Sequence, residues 1–201
     1  MIDAAVGLQG RGHRVTIYTS HCDRTHCFDE ARDGTLIHVK LLMIGTLNVQ
    51  VLGNTIVPTH IFGRFSILCA ILRQIHLSLI LLFSNPVPSH DILILDQLST
   101  SIPFLRVQYP ILFYCHFPDK LLARGREHWL KRWYRVPFDW AEEMTTELAD
   151  AIVVNSLYTK GVFKDAFPHI DKAPDVIYPS VDTNLPIETI PEGNPLVEFL
   201  R

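Results

Sequence analysis

Apolar residues follow two alternating rhythms along this chain. Short β-branched runs occur at Arg14–Ser20, Leu36–Leu41, Asp91–Asp96, Ile111–Cys115, Ala151–Asn155 and Val176–Tyr178, with longer stretches of helical spacing between them. Such alternation predicts a parallel sheet covered by helices. DILILD (91–96) and AIVVN (151–155) are apolar at consecutive positions. Strands of that kind are buried on both faces, so helices are expected on both sides of the sheet. The predicted fold class is α/β, a Rossmann-like parallel sheet.

The punctuation between these runs refines the picture. IDAAVGLQGRGH (2–13) reads as the last turns of a helix closed by Gly10 and Gly12, which tolerate the positive φ of a helix C-terminus. Doubly wound domains open with a strand and a loop before their first helix, so a first strand and its glycine loop are expected upstream of Met1. A helix is predicted over 137–149, with Pro137 in its first turn and Asp139, Glu142 and Glu143 near its positive end. Ser156 is placed to cap a helix running to Phe167. NPVPSH (85–90) is a rigid connector, and the tail carrying Pro179, Pro186, Pro191 and Pro195 reads as a linker. The expected organisation is one domain over 1–178 and a hinge over 179–201.

Residues 61–83 form a 23-residue apolar stretch interrupted by Arg64, Arg73, Gln74 and His76. Its length suits a membrane segment. Arg64 and Arg73 fall on opposite sides of a helical wheel, which leaves no single polar face. The stretch is open to three readings: two helices broken near Arg73, a helix buried between sheet and lipid, or a span. Membrane affinity is expected from it in each case.

Composition narrows the functions available. The chain is 48% apolar and 19% charged, with a mean hydropathy of +0.17, so it has ample material for a core. A net charge of −3 argues against nucleic acid as the main partner. Positions 120–135 nevertheless carry six basic residues against one acid, Glu127, while 139–150 carry five acids and no base. This asymmetry fits either an anion site or a solvated helical face. The four cysteines, Cys22, Cys27, Cys69 and Cys115, do not form a secreted disulfide framework. HCDRTHC (21–27) has the wrong spacing for the common zinc patterns, so no metal is expected there.

In parallel α/β sheets, ligands bind beyond the C-terminal strand ends. The loop HFPDKLL (116–122) therefore stands out, because it brings His116, Asp119 and Lys120 to a strand end. A histidine there exchanges hydrogen bonds with a substrate hydroxyl near neutral pH, or is satisfied by local backbone. In VVNSLYT (153–159), Asn155, Ser156 and Thr159 precede a helix N-terminus, where free N–H groups attract phosphate or sugar oxygens or are simply capped. His21 lies in a polar loop suited to acceptor binding. Lys131 and Arg135 belong to the basic stretch.

Four segments together carry a family resemblance: YTSHCDRTHCFDEARDGTLIHVKL (18–41), YCHFPDKLL (114–122), WYRVPFDWAEEMTTELADAIVVNSLYTKGVF (133–163) and VIYPSVD (176–182). They resemble the eukaryotic alpha-1,3/1,6-mannosyltransferases of the dolichol pathway, which have the two-domain GT-B architecture of glycosyltransferase family 4. The resemblance implies that this stretch is the acceptor-side domain and that a donor domain would follow VIYPSVD. It also implies transfer of mannose from GDP-mannose to a dolichol-diphosphate-linked oligosaccharide, first α-1,3 and then α-1,6, with retention and no divalent metal or other cofactor. The reaction would take place at the cytosolic face of the endoplasmic reticulum. His116 would then contact the reacting sugar, while His21, Asp119, Lys120, Lys131, Arg135, Asn155, Ser156 and Thr159 would meet acceptor or phosphate. Without a donor domain the stretch is expected to be inactive alone. The residues themselves leave open a Rossmann-type enzyme of another class, such as an oxidoreductase, or a non-catalytic membrane-associated fragment.

Overall fold

The computed structural model describes residues 2–21, 47–60, 66–83, 91–122 and 129–179. In chain order its elements are α1 (Ile2–Gly10), β1 (Thr16–Thr19), β2 (Asn48–Val51), α2 (Ser66–Phe83), β3 (Leu93–Asp96), a 3-10 turn (Ser99–Ser101) running into α3 (Ile102–Leu105), and β4 (Ile111–Cys115). They continue with α4 (Asp119–Leu122), α5 (Trp129–Glu147), β5 (Ala151–Val154), α6 (Leu157–Ala166) and β6 (Asp175–Val176). The strands form two parallel sheets, β1-β2 and β3-β4-β5-β6. The expected α/β Rossmann-like class is what the chain adopts.

The core is built where β4 and β5 lie side by side in the middle of the larger sheet. Ile111, Phe113, Ile152 and Val154 pack with Phe163 and Phe167, all at most 5% exposed. Burying each such side chain stabilises by roughly 1.5–3 kcal/mol. Asp150 sets the register at the start of β5, because its Oδ2 accepts the Ile111 N–H at 2.7 Å while its own N–H donates to the Ile111 carbonyl at 3.0 Å. Between the facing edges of β1 and β3 lies a cavity of about 1490 Å³, lined in part by Ala5, Leu8, Tyr18, Leu77, Leu81 and Ile94.

Several expectations on elements change. The strand expected at Leu36–Leu41 lies outside the described residues, as do 180–201, most of the expected hinge. β2 was not foreseen; NVQV is short and half polar, and it takes strand form as the partner of β1. The helix expected to start at Pro137 starts at Trp129, with Pro137 inside it. Proline removes one intrahelical N–H donor there without ending the helix.

The largest correction concerns 61–83. α2 is one unbroken helix across Arg73, and among the described residues no helix is long and apolar enough to cross a membrane. Two of the polar groups that interrupt the stretch, Arg73 and His76, contact the protein itself, while Arg64 lies outside the described residues. Arg73 is only 6% exposed and donates through Nη2 to the Ser20 carbonyl. His76 Nδ1 lies 3.1 Å from the Gly53 carbonyl, and Ser78 Oγ donates to Ser101 Oγ at 2.8 Å. α2 is a covering helix packed on the 3-10 turn and α3, so the span reading and the break near Arg73 are set aside, and the membrane contact expected from 61–83 finds no support.

Candidate functional site

The four strands of the larger sheet run parallel, so Gln97, His116, Asn155 and Ile177, which follow them, share one edge. His116 stands at its centre. Its Nε2 is 2.8 Å from Asp96 Oδ1 on the neighbouring strand, and both side chains are about two-fifths exposed, at 39% and 40%. The Tyr114 ring meets the imidazole edge-on at 4.7 Å and 70°, while its hydroxyl donates to the Ile177 carbonyl at 3.1 Å. The imidazole is thus fixed by a carboxylate and an aromatic edge. Nδ1 has no partner among the described residues and is left for a ligand.

The Asp96–Gln97 turn that supplies this carboxylate is strained. Gln97 has φ of 69°, in the left-handed region, a conformation costing about 1–3 kcal/mol for a residue other than glycine. The turn sends Asp96 to His116 and brings the Gln97 side chain near Asp119, where it favours the ionised carboxyl. The sequence analysis singled out neither residue for a role in the site. The signal was available in the strand end itself, since an acid closing an apolar strand falls at the crevice.

Asp119 and Lys120 open the short α4, and a carboxylate from α5 holds them. Glu142 Oε1 accepts the Asp119 N–H at 2.7 Å and Oε2 the Lys120 N–H at 2.8 Å. Burial, and then the nearby Asp119 charge, push the Glu142 pKa up to about 7. Burial likewise raises Asp119, against the Gln97 hydrogen bond and the Arg135 charge. Glu142 was foreseen only as a helix-dipole acid. Its role here depends on a contact across 23 residues, which no local pattern announces.

The remaining sequence candidates are placed as follows. Lys120 Nζ lies 3.5 Å from Glu143 Oε2 and 4.3 Å from the centre of the Phe167 ring. Arg135 is 7% exposed, and its Nη2 donates to Asp139 Oδ1 at 3.1 Å and to the Asp119 carbonyl at 3.4 Å. Both cations are spent holding the α4–α5 junction. Ser156 caps α6, its Oγ accepting the Thr159 N–H at 3.1 Å, and Thr159 Oγ1 donates to Asn155 Oδ1 at 2.6 Å. These three residues therefore satisfy one another. His21 follows β1, its N–H donating to Thr19 Oγ1 at 3.3 Å. Lys131 lies in the first turn of α5.

Beside the His116 loop lies a second cavity of about 400 Å³, walled by Ile67, Ile71 and Ile75 of α2, Phe104, Phe138 and Glu142. The buried Cys115 thiol, pushed up to about 12 chiefly by desolvation, is not a nucleophile. Among the described residues no cluster of His, Cys, Asp or Glu is arranged to hold a metal. Cys22, His26 and Cys27 lie outside them.

Comparison with known proteins places the chain in a family. The model of Glycosyltransferase Family 4 matches residues 1–185. An alpha-1,3/1,6-mannosyltransferase of Neurospora crassa is 50% identical over 190 residues, covering 90% of this chain and 38% of its own length. Proteins of the same name from Candida albicans and Schizosaccharomyces pombe are 47% and 50% identical, over 96% and 90% of this chain. The chain spans 42% and 33% of those two relatives. No solved structure matches. With a family model over most of its length and a polar site at the strand ends, the chain belongs to glycosyltransferase family 4.

Proposed function

We propose that this chain forms the acceptor-side unit of a retaining alpha-1,3/1,6-mannosyltransferase. The enzyme moves mannose from GDP-mannose to a dolichol-diphosphate-linked oligosaccharide during N-glycan precursor assembly, at the cytosolic face of the endoplasmic reticulum. The observation that carries this reading is the Asp96–His116 pair, half-exposed at the edge where parallel sheets bind ligands. Asp96 Oδ1 lies against Nε2 and leaves Nδ1 as the nitrogen presented to a sugar hydroxyl. Such a hydrogen bond accelerates transfer only as far as it strengthens in the transition state. The relatives' names supply the sugar and linkages. The apolar cavity beside the loop has the lining that a lipid-linked acceptor requires.

The test is mannose transfer to a lipid-linked acceptor by full-length enzyme carrying His116→Ala. A fall in kcat of about 100-fold with an unchanged denaturation midpoint is expected. Near-normal turnover with a lowered midpoint would make His116 a structural residue and remove the basis of the proposal.

A further inference from the structure

β1 and β3 are edge strands whose outer edges face each other. Among the described residues β1 pairs with β2 alone and β3 with β4 alone. The cavity of about 1490 Å³ lies between them, lined by every residue of both strands, by Ala5 and Leu8 of α1 and by Leu77 and Leu81 of α2. No residue of either strand is fully buried, and Ile94 is 37% exposed, whereas Ile111 and Phe113 of the adjacent β4 are 1% and 2% exposed. Edges that natural sheets leave to solvent are blunted by charge, proline or a bulge, yet Thr16–Thr19 and 93–95 carry neither charge nor proline.

Backbone direction decides what the space takes. The Leu93 N–H donates to the Pro110 carbonyl on the β4 side at 3.0 Å, so by the alternation of a strand the Ile94 N–H points the other way, into the cavity. On β1 the Thr19 carbonyl accepts the Leu52 N–H on the β2 side at 2.9 Å, so the Thr16 N–H points into the cavity as well. Such rows of backbone groups require partners. A small ligand meets a few of them, whereas one extended segment of about four residues meets both rows at once and sets its side chains alternately against the apolar helical walls. Topology selects the source of that segment. α1 lines the cavity and leads through residues 11–15 into β1. A strand joined ahead of α1 completes strand, helix and neighbouring parallel strand, the crossover that parallel sheets use. This chain spans 33% and 42% of two of its relatives, whose length allows for such a strand.

We propose that the space between β1 and β3 seats an apolar β-strand joined ahead of α1, which pairs in parallel with both and makes the two sheets one. This stands independently of which sugar the protein transfers. His21 follows β1, and the Asp96–His116 pair closes β3 and β4, so the same strand holds these two parts of the crevice in one register.

Amide hydrogen exchange on the full chain, with and without an added N-terminal extension, tests the proposal. The extension has about ten residues, half of them alternating valine and isoleucine as the strand and half glycine and serine as the loop into α1. It is expected to slow exchange at the Ile94 and Thr16 amides at least about tenfold and to raise the denaturation midpoint. An extension with proline at the centre of its strand, or with aspartate in place of each valine, should give neither effect. Unchanged exchange on extension, or equal protection from the proline form, would overturn the proposal. So would Ile94 and Thr16 amides that already exchange as slowly as that of Phe113 in the unextended chain, because the space would then be filled by other residues of the protein. Protection that grows with protein concentration would overturn it too, by making a second copy the occupant.

Discussion

Asp96 Oδ1 lies 2.8 Å from His116 Nε2, across two adjacent parallel strands whose ends are in register. Because Asp96 touches the imidazole and not the substrate, it is a positioning residue, and its variants should grade with hydrogen-bonding capacity. Asp96→Ala is expected to lower kcat about tenfold with KM little changed. Asp96→Asn, which keeps an acceptor toward Nε2–H, should recover most of that loss. The Asp96→Ala, His116→Ala double variant should be no worse than His116→Ala alone. Additive losses in steady-state transfer assays would show that Asp96 acts by another route.

Ser156 separates a cap from a ligand site. Its Oγ receives the Thr159 N–H, so Ser156→Ala should cost about 1 kcal/mol in the denaturation midpoint, the usual value of a lost N-cap. KM for either substrate should stay within twofold. A KM rise of tenfold at unchanged stability would instead assign the Asn155–Ser156–Thr159 loop to the substrate.

Strand positions were legible in the sequence but their burial only in part: β3, expected to be covered on both faces, leaves Ile94 37% exposed. Ile111–Cys115 was expected and found with the same bounds, because a strand buried on both faces leaves an unbroken apolar run. β2 was illegible, since NVQV gains its conformation from pairing with Thr16–Thr19 and not from its own pattern. The 61–83 stretch shows the opposite failure. Its hydropathy was read correctly, but hydropathy does not say whether Arg73 and His76 face lipid or the carbonyls of Ser20 and Gly53. In the site, His116 was legible from its strand end. Asp96, Gln97 and Glu142 were not singled out, because their roles come from tertiary neighbours.

Gly53 fixes how closely the β2 loop approaches α2. Its φ is 75°, and a Cβ at this position would lie 2.8 Å from the Leu77 backbone nitrogen and 2.9 Å from its Cα. Gly53→Ala therefore combines a left-handed backbone penalty with displacement of a helix backbone, for about 2–4 kcal/mol in total. Chemical denaturation measures it. A cost below 1 kcal/mol would mean that α2 shifts freely at this point, and the His76 contact to the Gly53 carbonyl would then have to stretch with it.

Glu142 makes stability depend on pH in a direction opposite to most salt-bridged acids. Its folded pKa of about 7 lies above the ordinary 4.5 because burial disfavours the carboxylate and Asp119 repels it, against the Asp119 and Lys120 N–H bonds and the Lys120 charge. Between those two values the folded state binds the proton more tightly than the unfolded chain. Stability from this group is therefore greatest below about pH 4.5 and falls as pH rises to about 7, by at most about 3 kcal/mol. Glu142→Gln cannot titrate, so the difference in unfolding free energy between wild type and variant should carry this slope and nothing of the other carboxylates. The variant also loses an acceptor, since an amide meets two backbone N–H donors with a single oxygen, and a constant penalty of about 1–3 kcal/mol is expected across the range. Urea unfolding at half-unit intervals from pH 4.5 to 7.5 resolves the two contributions. A difference that stays flat with pH would show that Glu142 is ionised throughout, and that the two N–H donors of α4 outweigh its burial.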